Sequence, residues 1–140
     1  MFLHYLCTRK GMNDKSDNSL KAADQLIKTF FYTESVHCSY YAVLQLAKFK
    51  LANAKRRPLS YIQQEEKAKS SGSHNYILQE IRNRLQVSVK EEKAFSEEFL
   101  RLKSFRVDAD YSTRQFNLDG SCQCKDIADR LIYKLKRYSI

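Results

Sequence analysis

One proline and three glycines in 140 residues leave the chain few places to break. Scarcity of both excludes an architecture of many short strands joined by tight turns and favours long helices, because these two residues interrupt helices most strongly. Metal-site spacing is missing too. Cys7, Cys38, Cys122 and Cys124 include a lone C-x-C, with no second cysteine pair or histidine pair at finger-like spacing. The expectation is therefore reduced thiols in a soluble, cytoplasmic protein, with no metal and no cofactor. The apolar opening "MFLHYLC" is only seven residues long and lacks a basic leading segment. It is too short to cross a membrane and does not read as a signal peptide.

The remaining composition is that of a globular domain. Hydrophobic residues make up 43% and charged residues 29% of the chain, too apolar for intrinsic disorder. A single domain of this length buries about two-thirds of the surface its unfolded chain exposes. The formal charge is +9, and the excess is uneven. Lys48, Lys50, Lys55, Arg56 and Arg57 lie in "KFKLANAKRR" with no acid among them. Such a run fits a phosphate-bearing partner, since lysine and arginine release counterions when they neutralise phosphates. It also fits a solvated helix end, where cations satisfy the carbonyl terminus.

Periodicity predicts five helices. Ser16, Asp17, Asn18 and Ser19 offer N-caps for a first helix running to about Tyr32, with Leu20, Ala23, Ile27 and Phe30 or Phe31 on one face. Residues 1–17 then form an N-terminal tail, Met12 being an alternative start to Met1, and residues 18–140 form the bundle. Val36, Tyr40, Val43, Leu44, Ala47 and Leu51 give an amphipathic second helix through about Ala54. Pro58 stops it, and "RRPLSYIQQEEKAKSSGS" reads as a connection with one short helical turn. Ser73 caps a third helix carrying Ile77, Leu78, Ile81 and Leu85. Ser88 and Glu91 form a capping box ahead of Phe95, Phe99 and Leu102. Asp119-Gly120 makes a turn and Ser121 caps a closing helix with Ile127, Leu131, Ile132, Leu135 and Tyr138 buried. Short loops and no repeat make an all-α, up-and-down bundle the economical architecture.

The densest polar cluster is "RVDADY", residues 106–111. If the fourth helix ends near Val107, Arg106 lies one turn beyond Leu102, with its guanidinium at the edge of the core. Asp108 and Asp110 are then acceptors on the departing chain, and Tyr111 covers the pair. In "CSYYAV" the adjacent tyrosines Tyr40 and Tyr41 point about 100° apart on a helix, so one faces the core and the other a neighbour or polar pocket. Two readings stand side by side: a structural helix-end network, or a ligand site made of Arg106, Asp108, Asp110, Tyr111, Tyr40, Tyr41 and His74.

The ordered set "YTESVHCSYYAVLQLAKFKLA", "SHNYI" and "LRLKSFRVDADY", followed by an amphipathic helix, resembles the HEPN superfamily of small helical bundles. It is similar to the branch with an AYYA-like second helix and an R-x-x-A-D-Y-like segment, over roughly residues 18–138. The resemblance implies an α-helical, often homodimeric protein, a nucleotidyltransferase partner in toxin–antitoxin or defence-type systems, and, in catalytic members, RNA cleavage. Those ribonucleases carry R-x4-6-H, whose arginine steadies a phosphate while the histidine moves protons. The motif is absent here. His4 has no arginine before it, His37 lies too far beyond Arg9 and His74 too far beyond Arg57, and from Arg106 the interval of four ends on Tyr111. A phenol with an ordinary pKa near 10 is a poor proton shuttle at neutral pH. The expectation is binding of RNA or nucleotide phosphates by a non-enzyme. The alternatives are an interaction module with a purely structural cluster and a degenerate ribonuclease using Arg106 with Tyr111 or His74.

Overall fold

A computed structural model describes the backbone of residues 2–140 and the side chains of residues 11–69 and 72–140. The expectation for Cys7 lies outside them; Cys38, Cys122 and Cys124 are free thiols. Helices are the only regular elements of the described residues: α1 (Phe2–Lys28), α2 (Tyr32–Ala52), α3 (Tyr61–Ser71), α4 (Ser73–Arg84), α5 (Val89–Tyr111) and α6 (Leu118–Arg137). It is an all-α bundle of six helices, not five. No helix among the described residues is long and apolar enough to cross a membrane.

Helix α2 is the hub, packing against all five others. Its Val36, Tyr40, Val43, Leu44, Ala47 and Leu51 are sealed from solvent, facing Phe95, Phe99 and Leu102 of α5 and Ile127, Leu131 and Leu135 of α6 in one core. These are the apolar stripes predicted from threefold and fourfold spacing.

The first helix starts earlier than the Ser16–Ser19 caps imply. Gly11 lowers helix propensity without ending the helix, and Ser16 finds a tertiary acceptor in place of a cap. Its Oγ donates to the Ala42 carbonyl across the helix pair at 2.6 Å, and Ser19 donates to Gln45 Oε1 at 2.8 Å. At the other end α1 stops at Lys28, and Phe30 and Phe31 are 78% and 55% exposed, not part of the buried face. They make the reversal into α2, where Phe30 adopts φ 70° and the Phe31 amide donates to the Leu26 carbonyl.

The connection after Pro58 contains a helix of its own. Ser60 caps α3 with a reciprocal Ser60–Gln63 box, and Gln64 is anchored beneath it by donating to the Lys48 and Leu59 carbonyls at 3.0 and 2.8 Å. These polar anchors leave no apolar periodicity to read. Ser60→Ala is expected to cost about 1 kcal/mol, visible as faster amide exchange confined to α3. Gly72, whose φ of 79° favours glycine, takes the N-cap position of α4 in place of Ser73, and no side chain makes a capping bond there. Ser88 does cap α5. The Glu91 carboxylate meanwhile accepts from the Tyr138 hydroxyl. At α6 the cap is Asn117, accepting from the Gly120 amide, so Asp119 and Gly120 lie in the first turn and Ser121 donates to the Leu118 carbonyl. A side chain at Gly120 would press on Asn117 Oδ1 and the Phe116 ring.

Candidate functional site

Helix α5 runs on to Tyr111, past the end expected near Val107. That changes the geometry of "RVDADY". On a continuous helix Arg106 and Asp108 lie about 200° apart, whereas Arg106 and Asp110 share a face. Asp108 accordingly leaves the cluster and binds Arg114 at 3.0 Å on the outer side. Asp110 stays, 3.6 Å from Arg106 Nη1.

Arg106 is 6% exposed and fills the junction of α2, α4 and α5. Its Cζ lies 5.0 Å from the Tyr40 ring centroid, 5.7 Å from Tyr41 and 5.8 Å from Tyr111. Three aromatic faces can hold a partly desolvated guanidinium because their quadrupoles are negative toward it. Tyr111 is itself 78% exposed, so it flanks the pair and does not bury it. The second tyrosine question resolves by position: Tyr40 is the core ring, packed edge-on to Phe99, and Tyr41 is the sideways one.

His74 enters from the first turn of α4. Its Nδ1 lies 2.9 Å from the Tyr40 hydroxyl and 3.1 Å from Arg106 Nη2. The guanidinium can only donate, so Nδ1 is an acceptor and the ring proton sits on Nε2. Burial, then the charges of Arg106, Lys48 and Lys103, push the His74 pKa down to about 4. The ring is neutral at physiological pH. Burial also raises the Tyr40 hydroxyl well above the ordinary phenol value, against the opposing pull of Arg106, so it remains a proton donor to His74.

One participant escaped the sequence reading. His37, half exposed on α2, places Nδ1 3.0 and 2.9 Å from the two Asp110 oxygens and stacks on Tyr41 at 4.4 Å. A search for histidine after arginine along the chain passes over it, since its partner comes from a helix far downstream. Its spacing of one turn from Tyr41 was the available signal. The cluster is thus a chain from His37 through Asp110 and Arg106 to His74 and Tyr40. A hollow of about 360 Å³ adjoins its His37–Asp110 end and is also bordered by Glu34 and Cys38.

The predicted basic run does not act as one surface. Lys48 is partly buried, which lowers its pKa, and Lys50 donates to the Tyr138 carbonyl at 3.0 Å. Lys55, Arg56 and Arg57 are exposed, on the order of 20 Å along α2 from the Arg106 cluster at 1.5 Å rise per residue. Among the described residues, no group of three or more His, Cys, Asp or Glu side chains could hold a metal ion.

Chemically, the cluster can orient two imidazoles and a guanidinium without a metal. His74 can donate from Nε2 but cannot serve as a base near neutrality. His37, oriented by a carboxylate, is the better placed proton carrier. Tyr111 has no comparable support. No protein-family model matches the chain, and no curated protein matches it in sequence.

Proposed function

We propose that this chain is a HEPN-like helical-bundle protein that binds RNA or nucleotide phosphates at the Arg106 cluster, working with a nucleotidyltransferase partner or a second copy in a toxin–antitoxin or defence-type system. The observation that carries this reading is convergence. The three segments that resemble the superfamily lie far apart in sequence, yet Tyr40 and Tyr41, His74, and Arg106 with Asp110 meet around one guanidinium. Arg106 Nε, moreover, has no acceptor among the described residues. A buried N–H without a partner is costly, and a phosphate oxygen reaching in beside the exposed Tyr111 ring would supply one. The proton on His74 Nε2 and the exposed His37 ring provide further donors.

The second reading, an interaction module whose cluster is purely structural, is favoured by the burial of Arg106 and by the acids Glu34 and Asp110 beside the hollow. Salt-titrated binding of single-stranded RNA to wild type, Arg106→Ala and His37→Ala separates the two. Ligand binding at the cluster predicts about tenfold weaker affinity in both variants, each lost contact to a charged group being worth roughly 1.5–3 kcal/mol. A purely structural cluster predicts a lower melting temperature for Arg106→Ala and unchanged affinity in both.

A further inference from the structure

We infer that the chain carries a second anion site, remote from Arg106, which binds the phosphates of a nucleic-acid strand in the cleft walled by Lys55, Arg56 and Arg57 and floored by Arg84. The cleft encloses about 510 Å³ and is completed by Asn83, Gln86, Ser139 and Ile140; no acidic side chain lines it, and the Ile140 main-chain oxygen at its rim accepts from the Lys55 amide at 3.2 Å.

Three independent features converge on it. First, Lys55, Arg56 and Arg57 are three consecutive exposed cations that form no ion pair among the described residues, and no acidic side chain borders the cleft to compensate them. Like charges on consecutive residues repel one another, and a polyanion relieves that repulsion. Second, the turn that presents them is strained. Arg57 has φ 48°, a conformation that L residues with long side chains seldom adopt. Strain of this kind concentrates where a side chain must be aimed; glycine would relieve it but would lose the guanidinium.

Third, the strained turn is clamped from below by another arginine. Arg84 Nη1 donates to the Arg56 and Arg57 carbonyls at 2.9 and 2.8 Å, while Nη2 reaches Glu80 at 3.4 Å. The Arg84 side chain is nine-tenths buried, yet its Nε has no acceptor among the described residues. Arg84 thus sets a guanidinium, paired on one side with Glu80, beneath the exposed Arg56 and Arg57.

The lining also tells which part of a nucleic acid is recognised. It contains no aromatic ring, so base stacking is excluded there. Arginine forks match phosphate oxygens two at a time. The cleft therefore reads backbone charge and not sequence, and it should accept RNA and DNA strands alike.

The test uses the full chain with a labelled twelve-nucleotide single-stranded RNA, its DNA counterpart, inorganic phosphate as competitor, and phosphatidylserine vesicles. Arg56→Ala/Arg57→Ala alters only exposed side chains, so its melting temperature should match wild type. At low salt the double variant is expected to bind both oligonucleotides at least tenfold more weakly, and its log affinity against log salt should be shallower by about 2, one per lost phosphate contact. Arg84→Met, with the clamp removed, should weaken binding in the same direction. Unchanged affinity and slope in the double variant overturn the site, as does vesicle binding without oligonucleotide binding, or competition so strong that millimolar inorganic phosphate alone empties it. The inference stands apart from the Arg106 reading: loss in His37→Ala with none in the double variant refutes the cleft alone, and the reverse pattern refutes the cluster alone.

Discussion

Phe99→Ala is expected to destabilise the protein by about 3–5 kcal/mol, lowering its melting temperature by on the order of 10–15 °C. Phe99 is 2% exposed and stands between Phe95 on its own helix and Tyr40 of α2. Truncation removes the transfer free energy of a ring and leaves a cavity that three helices must collapse to fill. The damage also reaches the site, because the Tyr40 ring that packs on Phe99 carries the hydroxyl bonded to His74 and one of the faces beneath Arg106. Phe30→Ala is the contrasting case. The same substitution at an exposed ring should stay within about 0.5 kcal/mol. Calorimetry of the two variants checks both statements, and comparable losses would mean that the turn between α1 and α2, and not α5, supplies the central ring.

Acid is expected to loosen the bundle through His74. Its folded pKa of about 4 lies below the ordinary 6.5. Between those values the unfolded chain binds a proton that the folded chain refuses, so stability rises with pH across this window and is lost as pH falls through it. The full difference corresponds to about 3 kcal/mol, and partial solvent access reduces it to about 2 kcal/mol. Carboxylates titrate at the lower edge, so the diagnostic is the difference between wild type and His74→Gln. Denaturant unfolding at pH 7 and pH 4.5 should show the wild type losing more stability than the variant by that amount. Equal losses would place the imidazole in a solvated position and dissolve its link to Arg106.

Much of this arrangement is legible in residue order because helix formation is local. The stripes Val36–Leu51, Phe95–Leu102 and Ile127–Leu135 repeat at three and four, and each turns out to face the core. The Ser88 cap is legible for the same reason, its partner being three residues away. Elements stabilised by distant groups are not. Helix α3 has Gln64 where an apolar anchor would announce it, and the acceptors of Gln64 are the carbonyls of Lys48 and Leu59. The reach of α1 past Ser16 depends on the Ala42 carbonyl across the helix pair.

The candidate site divides along the same line. Arg106, Asp110, Tyr40, Tyr41 and His74 are recognisable as polar or aromatic residues set against apolar stripes. Asp108 looks equivalent to Asp110 until the helix is known to continue, and two residues further along a helix is the opposite face.

Residue order by itself determined an all-helical chain with one core and an excess of positive charge, since glycine and proline content, apolar period and ionisable side chains act through neighbours or through simple sums. Only the tertiary structure decided that His37 pairs with Asp110, that His74 accepts from both Tyr40 and Arg106, and that Arg84 lies under Arg56 and Arg57. Each of those contacts joins residues more than two dozen positions apart, and such pairs are set by how helices pack, a property that no local pattern carries.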